Sequence, residues 1–125
     1  MQKYDTEFVP EESTVFVRGV SFRQVELKKL GAGKHIFALV AEPTNKADKH
    51  AVRVMGMKGG ALIHVGYLPG GDKATEALQG LSLAMAARGK LPVVNGVVKK
   101  GDAGLIVDIR TPYMRTTNTL RASLG

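Results

Sequence analysis

Apolar and polar positions alternate along the chain in short runs that predict several extended segments around one helical one. The run Val15-Phe16-Val17-Arg18-Gly19-Val20 is rich in β-branched and aromatic residues and closes on a glycine step, which predicts a strand. A second short extended piece is expected at Val25 to Leu30. After the turn Gly31-Ala32-Gly33-Lys34, the stretch His35-Ile36-Phe37-Ala38-Leu39-Val40 is apolar and of strand length, and it stops ahead of Pro43. Polar Thr44 to His50 then leads to Ala51-Val52-Arg53-Val54-Met55, where Val52 and Val54 share a face opposite Arg53, as in a half-buried strand. Gly56 to Gly60 predicts a turn, and Ala61 to Leu68 the partner strand of a hairpin, ended by Pro69-Gly70-Gly71.

Beyond Asp72, a side chain suited to capping a helix, Ala74, Ala77, Leu78, Leu81, Met85 and Ala86 recur at steps that predict an amphipathic helix to about Arg88. Gly80 inside it costs about 1 kcal/mol relative to alanine, so a break there stays open as an alternative. Gly89 and Pro92 mark its end. Two last strands, Val93 to Lys99 and Leu105 to Arg110, flank the turn-like Lys100-Gly101-Asp102-Ala103-Gly104. The acidic opening, residues 1–13, lacks an apolar period and contains Pro10, so it reads as a lead-in. Residues 111–125 carry Arg115 and Arg121 and no acid, and read as a flexible basic tail. Residues 14–110 remain as one domain. Its five or six short strands, with one or two helices inserted before the last strand pair and no strand–helix–strand alternation, predict a mainly β fold. The expected architecture is a small OB-like or SH3-like antiparallel β-barrel.

Length and composition narrow the chemistry. A chain of 125 residues fits one domain, and 44% hydrophobic residues exclude a disordered polymer. With no cysteine, disulfides, thiol catalysis and thiolate-bound zinc or iron–sulfur clusters are excluded. No apolar run approaches the roughly 18 residues of a membrane span, and the start has no signal-peptide hydrophobic region, so a cytoplasmic protein without membrane contact is expected. The charge is more telling: 18 Lys and Arg against 11 Asp and Glu give +7. Residues 1–14 hold one lysine against four acids, a net of −3, so the remainder carries 17 basic and 7 acidic groups, a net of +10. Such a basic body is the footprint of a polyanion binder, above all of nucleic acid, against the plainer alternative of a solvated basic surface.

Catalytic constellations find little support. His35, His50 and His64 lie 15 and 14 residues apart, without a second ligand at helical spacing, so no metal site is expected. Gly31-Ala32-Gly33-Lys34 lacks the earlier glycine of a phosphate-binding loop, has His35 where Ser or Thr would hold magnesium, and precedes a strand rather than a helix. No nucleophile-elbow pattern surrounds Ser13, Ser21, Ser82 or Ser123. A metal-dependent nuclease would need convergent carboxylates, and only Glu42 and Asp48 are close, with Glu42 more simply a strand-end residue. The densest polar segment is Glu42-Pro43-Thr44-Asn45-Lys46-Ala47-Asp48-Lys49-His50, a loop held between two apolar strands. Asn45 and Asp48 can brace it through their own backbone, Asp48 can accept from a hydroxyl, and Lys46, Lys49 and Arg53 can meet phosphates. A braced turn with solvated lysines accounts for the same residues equally well.

Four blocks taken together, Phe16-Val17-Arg18-Gly19-Val20-Ser21-Phe22-Arg23, Glu42-Pro43-Thr44-Asn45, Asp48-Lys49-His50-Ala51-Val52-Arg53-Val54 and Val65-Gly66-Tyr67-Leu68-Pro69, resemble the HIRAN domain in order and spacing. The resemblance covers residues 14 to 110. HIRAN domains are modified OB-like barrels at the front of SWI/SNF-type translocases acting at stalled replication forks, and also occur as short bacterial and phage proteins. The resemblance implies a noncatalytic DNA-binding domain, without cofactor, that serves DNA repair or replication and recognises single-stranded DNA and its 3′-hydroxyl end. By position, Phe16 would stack a base, Asp48 would accept the terminal hydroxyl, Asn45 would shape the pocket and Tyr67 would line it. Arg18, Lys46, Lys49, Arg53 and Lys73 complete the expected nucleic-acid-binding set. Three positions depart from the family pattern: Ala47 stands where a second aromatic precedes the aspartate, Val15 where an arginine precedes the first aromatic, and Gly70 where a basic residue follows, with Lys73 nearest. The alternative is a protein-interaction or assembly module of a phage or mobile element that keeps the barrel without end recognition.

Overall fold

The computed structural model describes residues 4–125. It contains seven strands and three helices: β1 (Asp5–Phe8), β2 (Ser13–Phe16), α1 (Gln24–Leu30), β3 (Gly33–Ala41), β4 (Val52–Lys58), β5 (Ala61–Tyr67), α2 (Lys73–Ala86), β6 (Lys90–Gly101), β7 (Gly104–Thr111) and α3 (Met114–Ser123). A 3-10 turn, Val20–Phe22, precedes α1. The sheet runs β2-β7-β6-β3-β4-β5 with antiparallel neighbours, and β1 lies parallel to the opening residues of β6. The mainly β, antiparallel character expected from the hydrophobic pattern is therefore present. The ladder itself does not close into a barrel. One isolated bridge joins its two ends: the Arg18 amide donates to the Tyr67 carbonyl at 2.8 Å, and the Tyr67 amide to the Arg18 carbonyl at 2.9 Å.

Two glycines permit that bridge. Gly19, at φ 78°, turns the chain out of the extended conformation directly after Arg18. At Gly66 a Cβ would run into the Arg18 carbonyl and the Val17 side chain, so only hydrogen allows the two backbones to meet. Inside the curved sheet, Phe37, Leu39, Val52, Val54, Val94, Val98 and Ile109 form the core with Leu27 and Leu30 of α1. β4 follows its predicted alternation, with Val52 and Val54 buried and Arg53 between them half-buried. Asp72 caps α2 through the Ala74 amide at 2.8 Å, as its side chain suits. Buried Ser82 of α2 donates to the Leu39 carbonyl and accepts from the Ala41 amide, supplying the end of β3 with partners that β6 no longer reaches.

Several expectations need correction. The lead-in contains β1, whose four side chains are all exposed, so its pairing with β6 rests on backbone bonds and the Lys90–Glu7 ion pair at 3.1 Å and leaves no apolar period. Val25 to Leu30 is helical: Leu27 and Leu30, three residues apart, turn fully inward, and the Gln24 side chain pairs with both backbone groups of Leu105 on β7. Gly56 belongs to β4, because Leu30 fills the space that a Cβ would need; the turn is confined to Gly59-Gly60. The expected helix after Asp72 is present and runs unbroken through Gly80, where Arg121 of α3 lies against the missing side chain. The tail is not loose: α3 buries Thr117 completely and packs Leu120 and Leu124 against the core. Among the described residues α2, between β5 and β6, is the expected helical insertion, α1 and α3 are additional helices, and seven strands stand in place of five or six. No helix among the described residues is long and apolar enough to cross a membrane.

If the bridge depends on the absence of a side chain, Gly66→Ala will destabilise the fold by about 1–3 kcal/mol, the usual cost of overpacking a tight site. The urea-unfolding midpoint measures this, and an unchanged midpoint contradicts the assigned close approach.

Candidate nucleic-acid interface

The polar loop between β3 and β4 is held by its own short side chains. Asn45 Oδ1 accepts from the amides of Ala47 and Asp48 at 2.9 and 3.0 Å, and Asp48 Oδ1 from the His50 amide at 2.9 Å. Such local bonds occupy backbone donors that a short loop cannot pair otherwise. Helix α2 secures the far side: Gln79 donates to the Lys49 carbonyl at 3.1 Å, and His50 Nδ1 lies 3.2 Å from Glu76 Oε1. Asn45 is thus consumed as a brace. Asp48 keeps one oxygen: Oδ2 has no partner among the described residues and points toward Gly70, where a Cβ would sit at 3.5 Å.

That oxygen belongs to an open cleft of about 270 Å³, lined by Arg18, Gly19, Asn45, Ala47, Asp48, Ala51, Tyr67, Leu68 and Gly70. The Arg18–Tyr67 bridge forms part of its wall, so the junction of the two sheet ends also builds the cleft. A neighbouring cleft of about 350 Å³ holds Phe16, and Arg18 is the residue that lines both. Phe16, at the end of β2, is 61% exposed, far more than a core aromatic allows. The structure therefore brings Arg18, Asn45, Asp48 and Tyr67 together and sets Phe16 next door. Lys46 and Lys49 are exposed on the loop and Lys73 on the first turn of α2, outside both clefts. Among the described residues Arg18, Lys46, Lys49 and Lys73 make no ion pair.

Arg53 has a different fate. Its Nε donates to Glu42, which also accepts from Asn45 Nδ2 at 2.7 Å and from the Tyr67 hydroxyl at 3.2 Å. The charge expected to meet a phosphate is balanced inside the protein. Burial disfavours a charged Glu42, but the bonds from Arg53 and Asn45, the Arg53 charge and the Tyr67 hydroxyl outweigh it and hold the carboxyl below its usual range. The same contact with Glu42 raises the Arg53 guanidinium above its ordinary value. Beneath this group, burial first and the Arg23 charge next push the His64 imidazole down, although its Nε2 is bonded to the Gly66 carbonyl at 2.9 Å. Its ring meets Tyr67 edge-on, with ring centroids 4.9 Å apart.

Glu42 is the residue that sequence reasoning undervalued. The available signal was an acid three residues before Asn45 with Arg53 on the facing strand, where the register pairs Val40 with Arg53 and Ala41 with Val52. Among the described residues no three His, Asp or Glu side chains gather in a group able to hold a metal ion. No protein-family model, curated protein or solved structure matches this chain.

Because Glu42 titrates below its usual range in the fold, its contribution is present above pH about 4.5 and is lost as pH falls through the depressed value. Glu42→Gln should therefore lower stability by about 1–2 kcal/mol at pH 7, a range discounted for the solvent exposure of Arg53, and the gap to wild type should close in strong acid. Urea unfolding of both proteins across a pH series from 7 into strong acid tests this; a gap that does not narrow as pH falls assigns the loss to shape rather than charge.

Proposed function

We propose that this protein is a noncatalytic DNA-binding module of the HIRAN type that holds the 3′-hydroxyl end of a single strand. The observation that carries the reading is the free Oδ2 of Asp48 in an open cleft that also holds Arg18, an arginine that no acid among the described residues neutralises. A hydroxyl needs an acceptor and a phosphodiester needs a cation, and the cleft offers one of each. A carboxylate there repels a terminal phosphate, which makes the end group itself the discriminated feature. Lys46, Lys49 and Lys73 add sequence-independent attraction around the cleft, in keeping with a net charge of +7. Phe16, exposed in the neighbouring cleft, provides a face on which a base can stack.

The finer fold assignment belongs to the same proposal. The sheet, curled until Arg18 meets Tyr67, is the partly open OB-like barrel of that family, with α2 as the insertion before the last strand pair. Gly70, in the place of the family's basic residue, leaves Asp48 Oδ2 unpaired; a cation there would compete with an incoming hydroxyl. Ala47, in place of an aromatic, widens the cleft at the loop side. The assembly-module alternative has one observation in its favour, the exposed apolar faces of Phe16, Tyr113 and Met114 in one cleft; against it, Phe16 is not buried, and the exposed face around Asp48 is charged.

Fluorescence anisotropy with a short labelled single strand ending in a 3′-hydroxyl or a 3′-phosphate, and with the matching duplex, at two salt concentrations, tests the reading. The hydroxyl strand should bind tightest, with a salt slope of about 0.7 per neutralised phosphate. Asp48→Asn keeps an acceptor for the His50 amide and places an amide where Oδ2 stood, so it should abolish the end preference and leave the salt slope of the hydroxyl strand unchanged. Equal binding of all three ligands by the wild type contradicts end recognition, and no binding at low salt contradicts DNA binding.

A further inference from the structure

The cleft that holds Phe16 has a second aromatic wall from a part of the chain distant in sequence. Tyr113, the residue ahead of α3, lines it with Met114, Pro69 and Pro112, and Tyr113 and Met114 are 58% and 43% exposed. Among the described residues neither Phe16 nor Tyr113 pairs with another aromatic ring. Two large apolar faces left open in one concavity on a charged surface mark a place for a ligand rather than for packing.

The surrounding charges say which kind. Glu12 Oε1 accepts from the Tyr113 amide at 3.0 Å, so the opening of α3 already carries an acid, and bonds to Thr116 and to that amide hold this carboxyl below its usual range. Asp72 lies in the wall of the same cleft. An anion seated at the aromatic faces would be repelled by Asp72 in the cleft wall; a neutral flat ring would not. The positive group at the cleft is Arg18, which also lines the Asp48 cleft. The Tyr113 backbone is held in place, its carbonyl accepting from the amide and the hydroxyl of Thr117, both at 3.0 Å, which fixes the point from which the ring projects.

We propose that Phe16 and Tyr113 form a nucleobase subsite adjoining the end-binding cleft, taking the base of the second nucleotide from the 3′ end while Arg18 meets the phosphodiester between the two nucleotides. The proposal rests on the DNA-binding reading and adds a residue to it: Tyr113 supplies from α3 an aromatic surface that Ala47 does not supply from the loop. Recognition then spans two nucleotides and depends on the docked C-terminal helix.

A single strand ending in a 3′-hydroxyl with 2-aminopurine at the second nucleotide tests this. Stacking should quench the probe in the wild type and in Tyr113→Phe. Tyr113→Ala should leave the probe bright and weaken binding by about tenfold, within the range for losing one base–aromatic stack, while preference for a 3′-hydroxyl over a 3′-phosphate persists. An abasic residue at that nucleotide should weaken the wild type to a similar extent, a readout independent of how the variant folds. Quenching and affinity in Tyr113→Ala equal to wild type, or an abasic residue without cost in the wild type, overturn the subsite and leave end recognition at Asp48 standing. Failure of the wild type to bind any single strand at low salt overturns both.

Discussion

Two hydrogen bonds between Arg18 and Tyr67 hold the rest of this structure in its working shape. A sheet of this length has an unsatisfied backbone edge at each end, and curvature alone does not pair them. Here the continuation of β2 reaches the last residue of β5, so the first and last strands of the ladder meet at one point. The contact is permitted by hydrogen in place of a side chain at Gly66. Its functional weight comes from what it places side by side: Arg18 and Gly19 from one end of the sheet, Tyr67, Leu68 and Gly70 from the other, and the β3–β4 loop between them.

Around that junction two carboxylates have opposite parts. Glu42 is largely enclosed and binds Arg53, Asn45 and Tyr67, which fixes the root of the loop and the orientation of the tyrosine. Asp48 spends one oxygen on the loop and presents the other to solvent. The distinction is environmental, since both are acids of the same segment: one sits where strand β4 brings an arginine, the other where Gly70 leaves space. Charge is distributed in the same way. Arg53, Lys90 and Lys99 are matched by acids and serve the fold, whereas Arg18 and the loop lysines are left uncompensated near the cleft.

The helices act as a frame for this region. Helix α2 grips the loop through Glu76 and Gln79 and completes the end of β3 through Ser82. Helix α3 lies against α2 where Gly80 makes room for Arg121, and its first turn carries Tyr113 to the cleft that contains Phe16. A glycine that weakens a helix in isolation is thus the point at which a second helix docks.

The strands of the central sheet, the hairpins and helix α2 were legible in the sequence because each rests on a local regularity: alternation at Val52 and Val54, three-and-four spacing from Ala74 to Met85, a capping Asp72, glycine turns. The bracing of the loop by Asn45 and Asp48 was legible for the same reason, being made within six residues. What escaped was set by distant partners. Strand β1 exposes all its side chains and is recruited by the backbone of β6; α1 is a helix because Leu27, Leu30 and Gln24 find partners on other strands; α3 is ordered by burying a threonine, which no hydropathy pattern announces. The site divides along the same line. Sequence alone determined a basic chain, a polar loop with a hydroxyl acceptor and an aromatic at Phe16. Only the tertiary structure decided that Arg53 is neutralised, that Glu42 anchors the loop, that Asp48 and Phe16 occupy separate clefts joined at Arg18, and that Tyr113 stands beside Phe16. Neutralisation, burial and convergence depend on distances across the fold, and those exist only once the sheet has curled and its ends have met.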